Sequence, residues 1–264
     1  CVMRFEDETG WLVGEPHRGL NAMFVMMNAA RLHVGLQGIG LLEAAWQKAQ
    51  AYAQERRQMR APGATQTSLI EDHPAIQRVL TTQRAWIDGG RLLAYRTAIE
   101  LDIAKHHADA SRRDAAQRWC SLVTPVLKAA WTNQGFHGAS ACLQVFGGHG
   151  YVREWGIEQI VRDARVTMIY EGTNEIQAID LLLRKVLPDG GDALGALFEQ
   201  LATEDALPLE VQQRFDALRR LAVRLARAAS YRADLAYWVA DDFLQALALA
   251  LLGWAGARIK SRQA

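Results

Sequence analysis

A carboxylate followed by a glycine, Tyr170-Glu171-Gly172-Thr173, stands just ahead of an apolar helical pattern, and a glycine-rich stretch, Gly147-Gly148-His149-Gly150, precedes it by about twenty residues. Glycine beside Glu171 leaves the carboxylate little steric cover, so it can project into a cleft. An apolar ligand chain that desolvated it there would raise its proton affinity toward the range of a general base, while the following helix N-terminus pulls the other way. The plainer reading is an ordinary carboxylate favoured by that helix end. The glycine segment also reads two ways: a turn that ends a helix, or a place where backbone N–H groups approach a phosphate or a cofactor. It matches neither G-x-G-x-x-G nor a Walker loop.

The elements that must position these residues are mostly helical. Apolar residues recur at helical spacing from Leu20 to about Met59 (Leu36, Ile39, Leu42, Ala45), and the cluster Gly35, Gly38, Gly40 predicts that another backbone packs close. A second helix starts at Pro74, a first-turn proline, and runs to His107. Ser111 can cap a third that reaches Trp131, with Pro125 as a kink; Asn133-Gln134-Gly135 interrupts it before helix resumes through Leu143. Thr173 caps a closing helix through Val186, and Pro188-Asp189-Gly190-Gly191 ends it. Residues 192–257 add amphipathic patterns rich in Ala, Leu and Arg. At the other end, Cys1 to Phe5 and Trp11 to Gly14 read as two short strands around a polar turn, a hairpin that needs partner strands from elsewhere.

Composition narrows the class. The 264 residues are 50% hydrophobic and 22% charged with net charge +1, which excludes a disordered or a nucleic-acid-coating chain. Cys1, Cys120 and Cys142 have no CxxC spacing, so neither a disulfide framework nor a metal site is expected, and a reducing cytoplasm is the default compartment. The longest apolar runs, such as Ala246 to Trp254, are shorter than a membrane span, so no membrane insertion is expected. A chain that opens on Cys1, without a leader-like segment, reads as an internal cut.

Three ordered motifs resemble one family, the acyl-CoA dehydrogenases, across residues 1 to about 188. Ile169 to Gln177 is similar to the family's IYEGTxxIQ signature, Gln144 to Tyr151 to its QxxGGxGY segment, and Arg162-Asp163-Ala164-Arg165 falls between them like its RDA element. Arg31 resembles the family arginine near the catalytic base, and Tyr52 to Met59 its Y…ERxxF segment, with Met59 in place of the usual aromatic. The opening, the His73-Pro74 helix start and the tail after residue 190 resemble a long branch that includes 3-methylmercaptopropionyl-CoA dehydrogenase-like proteins.

The resemblance implies an all-α fold: a C-terminal four-helix bundle over residues 17–188, a short N-terminal β remnant of a middle domain over 1–16, and an additional helical domain over 192–264. It implies α,β-dehydrogenation of an acyl-CoA, with Glu171 as the α-proton base and FAD as hydride acceptor. Arg31, Tyr170 and Gly172 are then expected at the substrate. Arg56, Gln58, Gln144, Gly147, Gly148, Thr173 and Glu175 are expected at FAD, the Arg56 and Gln144–Gly148 group reaching the flavin of a neighbouring subunit. Electron-transfer flavoprotein is the implied acceptor and a homodimer or homotetramer the implied assembly. Most flavin-ring contacts would come from upstream parts, so this chain alone is expected to bind flavin weakly and to be inactive. Alternatives are an acyl-CoA oxidase, a relative that binds nucleic acid through Arg214, Arg219, Arg220, Arg224 and Arg227, and a bundle without chemistry. Acidic residues interleave with those arginines, and the Glu171 motif argues against the last.

Overall fold

The computed structural model describes residues 2–204 and 206–263, which leaves Cys1, Asp205 and Ala264 outside. Eight α-helices account for most of it: α1 (Gly19–Glu55), α2 (Pro74–His106), α3 (Ala110–Val145), α4 (Ile157–Thr167), α5 (Asn174–Leu181), α6 (Asp192–Glu204), α7 (Leu209–Ala229) and α8 (Leu235–Gln263). The first two fall where periodicity and the Pro74 start place them. α5 continues through one π-helical turn, Leu182–Val186, before the Pro188 to Gly191 stop.

Close backbone approach holds the bundle together. A Cβ on Gly38 would lie 2.7 Å from the Trp131 carbonyl oxygen, and one on Gly135 2.9 Å from that of Gly38. α1 and α3 therefore touch backbone to backbone, as the glycine cluster predicts; Gly40, on the far side, faces open space. Around this seam the core contains Ile39, Leu42, Ile87, Leu93, Trp119 and Trp131. At roughly 25 cal/mol per Å² of buried apolar surface, such large side chains supply the main stabilising term.

Two local expectations are corrected. Asp109, not Ser111, caps α3: its carboxylate accepts from the Ser111 backbone N–H at 2.9 Å, which also draws Asp109 below the ordinary carboxylate range. Asn133-Gln134-Gly135 does not interrupt α3, which runs unbroken to Val145 because Gly135 is needed for contact with α1 and packing overrides its poor propensity. Pro125 also sits inside α3. Its missing N–H would orphan the Ser121 carbonyl one turn earlier, and Lys185 Nζ donates to that oxygen at 3.1 Å.

The N-terminal hairpin is not formed: residues 2–18 contain no strand. Trp11, Leu12 and Val13 are exposed, and a two-stranded ribbon with no further strand to pack against is marginal in water. The part of that expectation that concerns Cys1 lies outside the described residues.

Helices α6 to α8 share the bundle's core. Trp254 of α8 packs edge-on to Trp119 of α3 at 6.3 Å, and Leu244, Leu247 and Leu251 belong to the same buried cluster. α8 is longer and more apolar than the expected run: from Leu235 to Arg262 it is long and apolar enough to cross a membrane, with hydropathy 1.4. Its buried face against α2, α3 and α5 accounts for that composition. Along α7, Arg219 pairs with Glu199 at 3.4 Å, in keeping with a mixed-charge face rather than a basic one.

Candidate active site

Glu171 sits in the connection between α4 and α5 with φ +57°, and Gly172 follows with φ +83°. Left-handed backbone is cheap for glycine but costs a side-chain-bearing residue about 1–2 kcal/mol, so neighbouring contacts must hold Glu171 there. They are all on the buried side. Gln177 Nε2, fully buried, donates to the Glu171 carbonyl at 3.2 Å. Lys128 Nζ, also fully buried, donates to the Gly172 carbonyl at 2.7 Å and to Asn174 Oδ1 at 2.9 Å. Asn174 Nδ2 donates in turn to the Ala129 carbonyl at 3.0 Å, and Thr132 Oγ1 to Asn174 Oδ1 at 3.1 Å. Thr173 is the expected N-cap of α5, accepting from the Ile176 N–H.

The sequence dictates Gly172 here. A Cβ at that position would meet Gln177 Nε2 at 2.7 Å as well as adopt a strained φ. Because the C=O and N–H of a trans peptide point in opposite directions, carbonyls bonded from below turn the Gly172 and Thr173 N–H groups the other way. Glu171 is half-buried, while Thr173 and Glu175 are exposed beside it.

Arg31 of α1 and Tyr170 of the α4–α5 connection join this cluster. Tyr170 donates its hydroxyl to Gln37 Oε1 of α1. Arg31 Nη1 is 3.9 Å from Asp180 Oδ2 of α5, its side chain is 11% exposed, and its buried Nε has no partner. Charge converges around Lys128: burial, with Arg31 adding to it and the Glu171 carboxylate opposing, pulls its ammonium down to about 8.

Five of the expected cofactor residues gather elsewhere. Arg56, Gln58, Gln144, Gly147 and Gly148 line one cavity of about 610 Å³ with Tyr52, His73 and His149. A short antiparallel pairing builds one wall: Gln58 N–H donates to the Ser68 carbonyl and Ile70 N–H to the Arg56 carbonyl. An aromatic group builds the other, with Tyr52 stacked on Phe146 at 4.3 Å, His149 stacked on Trp155 at 5.1 Å, and the Tyr52 hydroxyl 3.0 Å from His149 Nδ1. Thr173 and Glu175 belong to the Glu171 cluster instead. Gln37 and Tyr52 mark the two sites on α1, so about 22 Å of helix separates them.

A flavin dinucleotide fits the cavity's donor set. Arg56 offers a guanidinium to a phosphate, and Gly147 and Gly148 present bare backbone whose Cβ positions face open space. Among the described residues no cluster of metal-ligating side chains occurs. Both Cys120 and Cys142 are buried with thiols pushed up to about 12 by burial, which makes them poor nucleophiles at neutral pH.

Sequence reasoning missed Lys128, Gln37 and the supporting roles of Asn174 and Gln177. The signal for Lys128 was present: a cation in the apolar run Val126-Leu127-Lys128-Ala129-Ala130 must be buried and therefore partnered.

The bundle, the left-handed glutamate before α5 and the glycine-walled cavity define a class. This chain belongs to the acyl-CoA dehydrogenase family: residues 17–186 match the family described as acyl-CoA dehydrogenase, C-terminal domain. It is 41% identical, over 91% of its length, to 3-methylmercaptopropionyl-CoA dehydrogenase of Ruegeria pomeroyi, and covers 41% of that protein. Over 73% of its length it is 36% identical to the broad-specificity linear acyl-CoA dehydrogenase FadE5 of Mycobacterium tuberculosis, of which it covers 32%. The chain thus spans well under half of these curated relatives. Among solved structures, Caenorhabditis elegans ACDH-11 in complex with C11-CoA matches with TM-score 0.73 at 23% identity, covering 93% of this chain and 42% of that one. An acyl-CoA dehydrogenase from Bacillus anthracis complexed with FAD matches with TM-score 0.73 at 18% identity, over 95% of this chain and 45% of that one. At such identities the two structures speak for the fold alone.

Proposed function

We propose that this chain supplies the base and part of the flavin site of an FAD-dependent acyl-CoA dehydrogenase that converts an acyl-CoA to a 2-enoyl-CoA. The observation that carries the reading is the left-handed Glu171-Gly172 pair at the start of α5, held from beneath by Gln177 and Lys128. A strained glutamate persists where its surroundings over-determine it, and such positions cluster at active sites.

Glu171 takes the α-proton. The electron pair left on the α-carbon forms the α,β double bond as the β-hydrogen departs with its own pair. The acceptor for that hydride would be supplied by FAD when bound. An α-proton is too weakly acidic for a carboxylate unless the thioester carbonyl is polarised, and the backbone N–H of Glu171 or Gly172 donates to it in this reading, as the family resemblance implies. Tyr170, tethered to Gln37, walls the acyl side, and Arg31 flanks the base from α1. Arg56, Gln58, Gln144, Gly147 and Gly148 would hold FAD in the second cavity, and Thr173 and Glu175 would contact it beside the base. As the family resemblance implies, the cavity serves a flavin whose base stands on a second copy of this chain, within a homodimer or homotetramer, and about 22 Å of α1 lies between the two sites. Electron-transfer flavoprotein is the proposed acceptor.

The test is α-deuterium exchange. In D2O, wild type should wash deuterium into the α-position of a bound acyl-CoA that cannot be oxidised further, and Glu171→Gln should not. Equal exchange by the two would place the base elsewhere.

A further inference from the structure

The Glu171 turn needs an anchor that the base itself does not provide. Two consecutive residues with positive φ, one of them not glycine, do not persist on local preference. Gln177 fixes the carbonyl of Glu171. The next carbonyl, that of Gly172, is fixed by Lys128, which reaches it from the middle of α3 across 44 residues of sequence. Lys128 is fully buried, so its ammonium is desolvated and its hydrogen bonds to the Gly172 carbonyl and Asn174 are shielded from water. Asn174, itself held through Nδ2 by the Ala129 carbonyl, takes a second donor of the ammonium on Oδ1, which fixes the direction of the first. No step assigned so far uses this cation.

We propose that Lys128 is a positioning residue for the reaction: its buried ammonium, bonded to the Gly172 carbonyl and to Asn174, fixes the left-handed Glu171-Gly172 pair and so aims the base and the adjacent amide N–H groups at the substrate thioester. The inference rests on the assignment of Glu171 as the base. It adds that the geometry of the base is set from α3 and not from α5 alone. A charge-assisted bond to a peptide carbonyl also polarises that peptide, so the Thr173 N–H, which shares it, becomes a stronger donor.

The test uses the full-length protein with FAD bound, comparing wild type, Lys128→Met and Glu171→Gln in anaerobic stopped flow with an acyl-CoA. Methionine keeps the length and the apolar stem while removing donors and charge. The limiting rate of flavin reduction in Lys128→Met should fall about 10- to 100-fold, the loss expected for one charge-assisted hydrogen bond in the transition state. Its half-saturating substrate concentration should stay near wild type. A purely structural lysine would lower only the yield of flavin-loaded protein; a wild-type rate per bound flavin, with Glu171→Gln inert, overturns the Lys128 proposal alone. Fast reduction by Glu171→Gln overturns the base assignment, and this proposal with it. If Lys128→Met does not fold, the Thr173 amide nitrogen of wild type decides. Sharing a peptide with the Gly172 carbonyl, it should titrate with Lys128, with a midpoint of about 8. A Thr173 resonance that stays fixed while the Lys128 side chain itself titrates overturns the proposal.

Discussion

Lys128 Nζ lies 2.7 Å from the carbonyl oxygen of Gly172, the residue that follows the proposed base. That bond joins the centre of α3 to the head of α5, so the packing of these two helices and the conformation of Glu171 are one structural problem. The fold therefore predicts effects on stability and on chemistry that can be measured separately.

The first prediction concerns alkaline pH. Lys128 falls from its ordinary 10.5 to about 8, chiefly through burial. Below about pH 8 it is charged in both folded and unfolded chains, and the cost of burying that charge is fully present. Between about 8 and 10.5 the folded chain has released the proton while the unfolded chain still holds it, so stability rises with pH across that window. Urea unfolding of wild type and Lys128→Met should give a difference that grows in favour of wild type over that range. A difference independent of pH contradicts the buried, singly titrating lysine.

A second prediction separates two glycines of one helix. Gly38→Ala drives a methyl against the Trp131 carbonyl and should cost about 1–3 kcal/mol, since backbone cannot yield cheaply. Gly40→Ala meets nothing and should stabilise by about 0.5–1 kcal/mol through helix propensity. Urea midpoints of the two variants should move in opposite directions.

Much of this was legible in the sequence because the relevant signals are local. Pro74 fixes the start of α2, Thr173 caps α5, and the Gly35-Gly38 spacing announces the seam with α3. The α3 cap failed locally, since Asp109 two residues earlier takes the role given to Ser111, but the other failures have a common cause, which is that distant atoms decide them. Gly135 stays helical because Gly38 lies against it, and Ser121 tolerates Pro125 because Lys185 replaces the lost donor. The N-terminal alternation reads as strand, yet alternation forms a sheet only where a neighbouring strand exists. The motif containing Glu171 was readable, whereas Lys128 acts from 43 residues upstream in sequence and could be inferred only as a cation that must find a partner.

A third prediction addresses how α6 and α8 are tied to the bundle. Both terminal nitrogens of Arg96 bond to Glu204, Arg258 Nη1 lies 3.2 Å from the same carboxylate, and the Arg96 guanidinium sits 3.8 Å over the Trp119 ring. Burial raises the Glu204 carboxyl, but the Arg96 hydrogen bonds outweigh it and leave the group below its ordinary 4.5. Its stabilising contribution is therefore present above about pH 4.5 and is lost as pH falls through the lower, folded value. Glu204→Gln should cost about 1–2 kcal/mol at pH 7, and the gap to wild type should narrow in acid. A gap that widens below about pH 4 would contradict the pairing.

A fourth prediction concerns the glycine-walled cavity. The Tyr52 hydroxyl is 3.0 Å from His149 Nδ1 and steadies the Gly147-Gly148 turn. Tyr52→Phe keeps the stacking on Phe146 and removes one hydrogen bond, so FAD should dissociate from the full-length protein about 2- to 10-fold more readily. Flavin fluorescence on dilution measures it, and unchanged retention would argue that the turn is held by stacking alone.

The most direct measurement is anaerobic bleaching of the flavin in the full-length protein by a panel of acyl-CoAs, with Glu171→Gln beside wild type. Bleaching of wild type by at least one acyl-CoA, with the variant yellow although it still holds FAD, is the predicted result. A variant that bleaches as fast as wild type, or a wild-type protein that copurifies without flavin, would contradict Glu171 as the base of an acyl-CoA dehydrogenase.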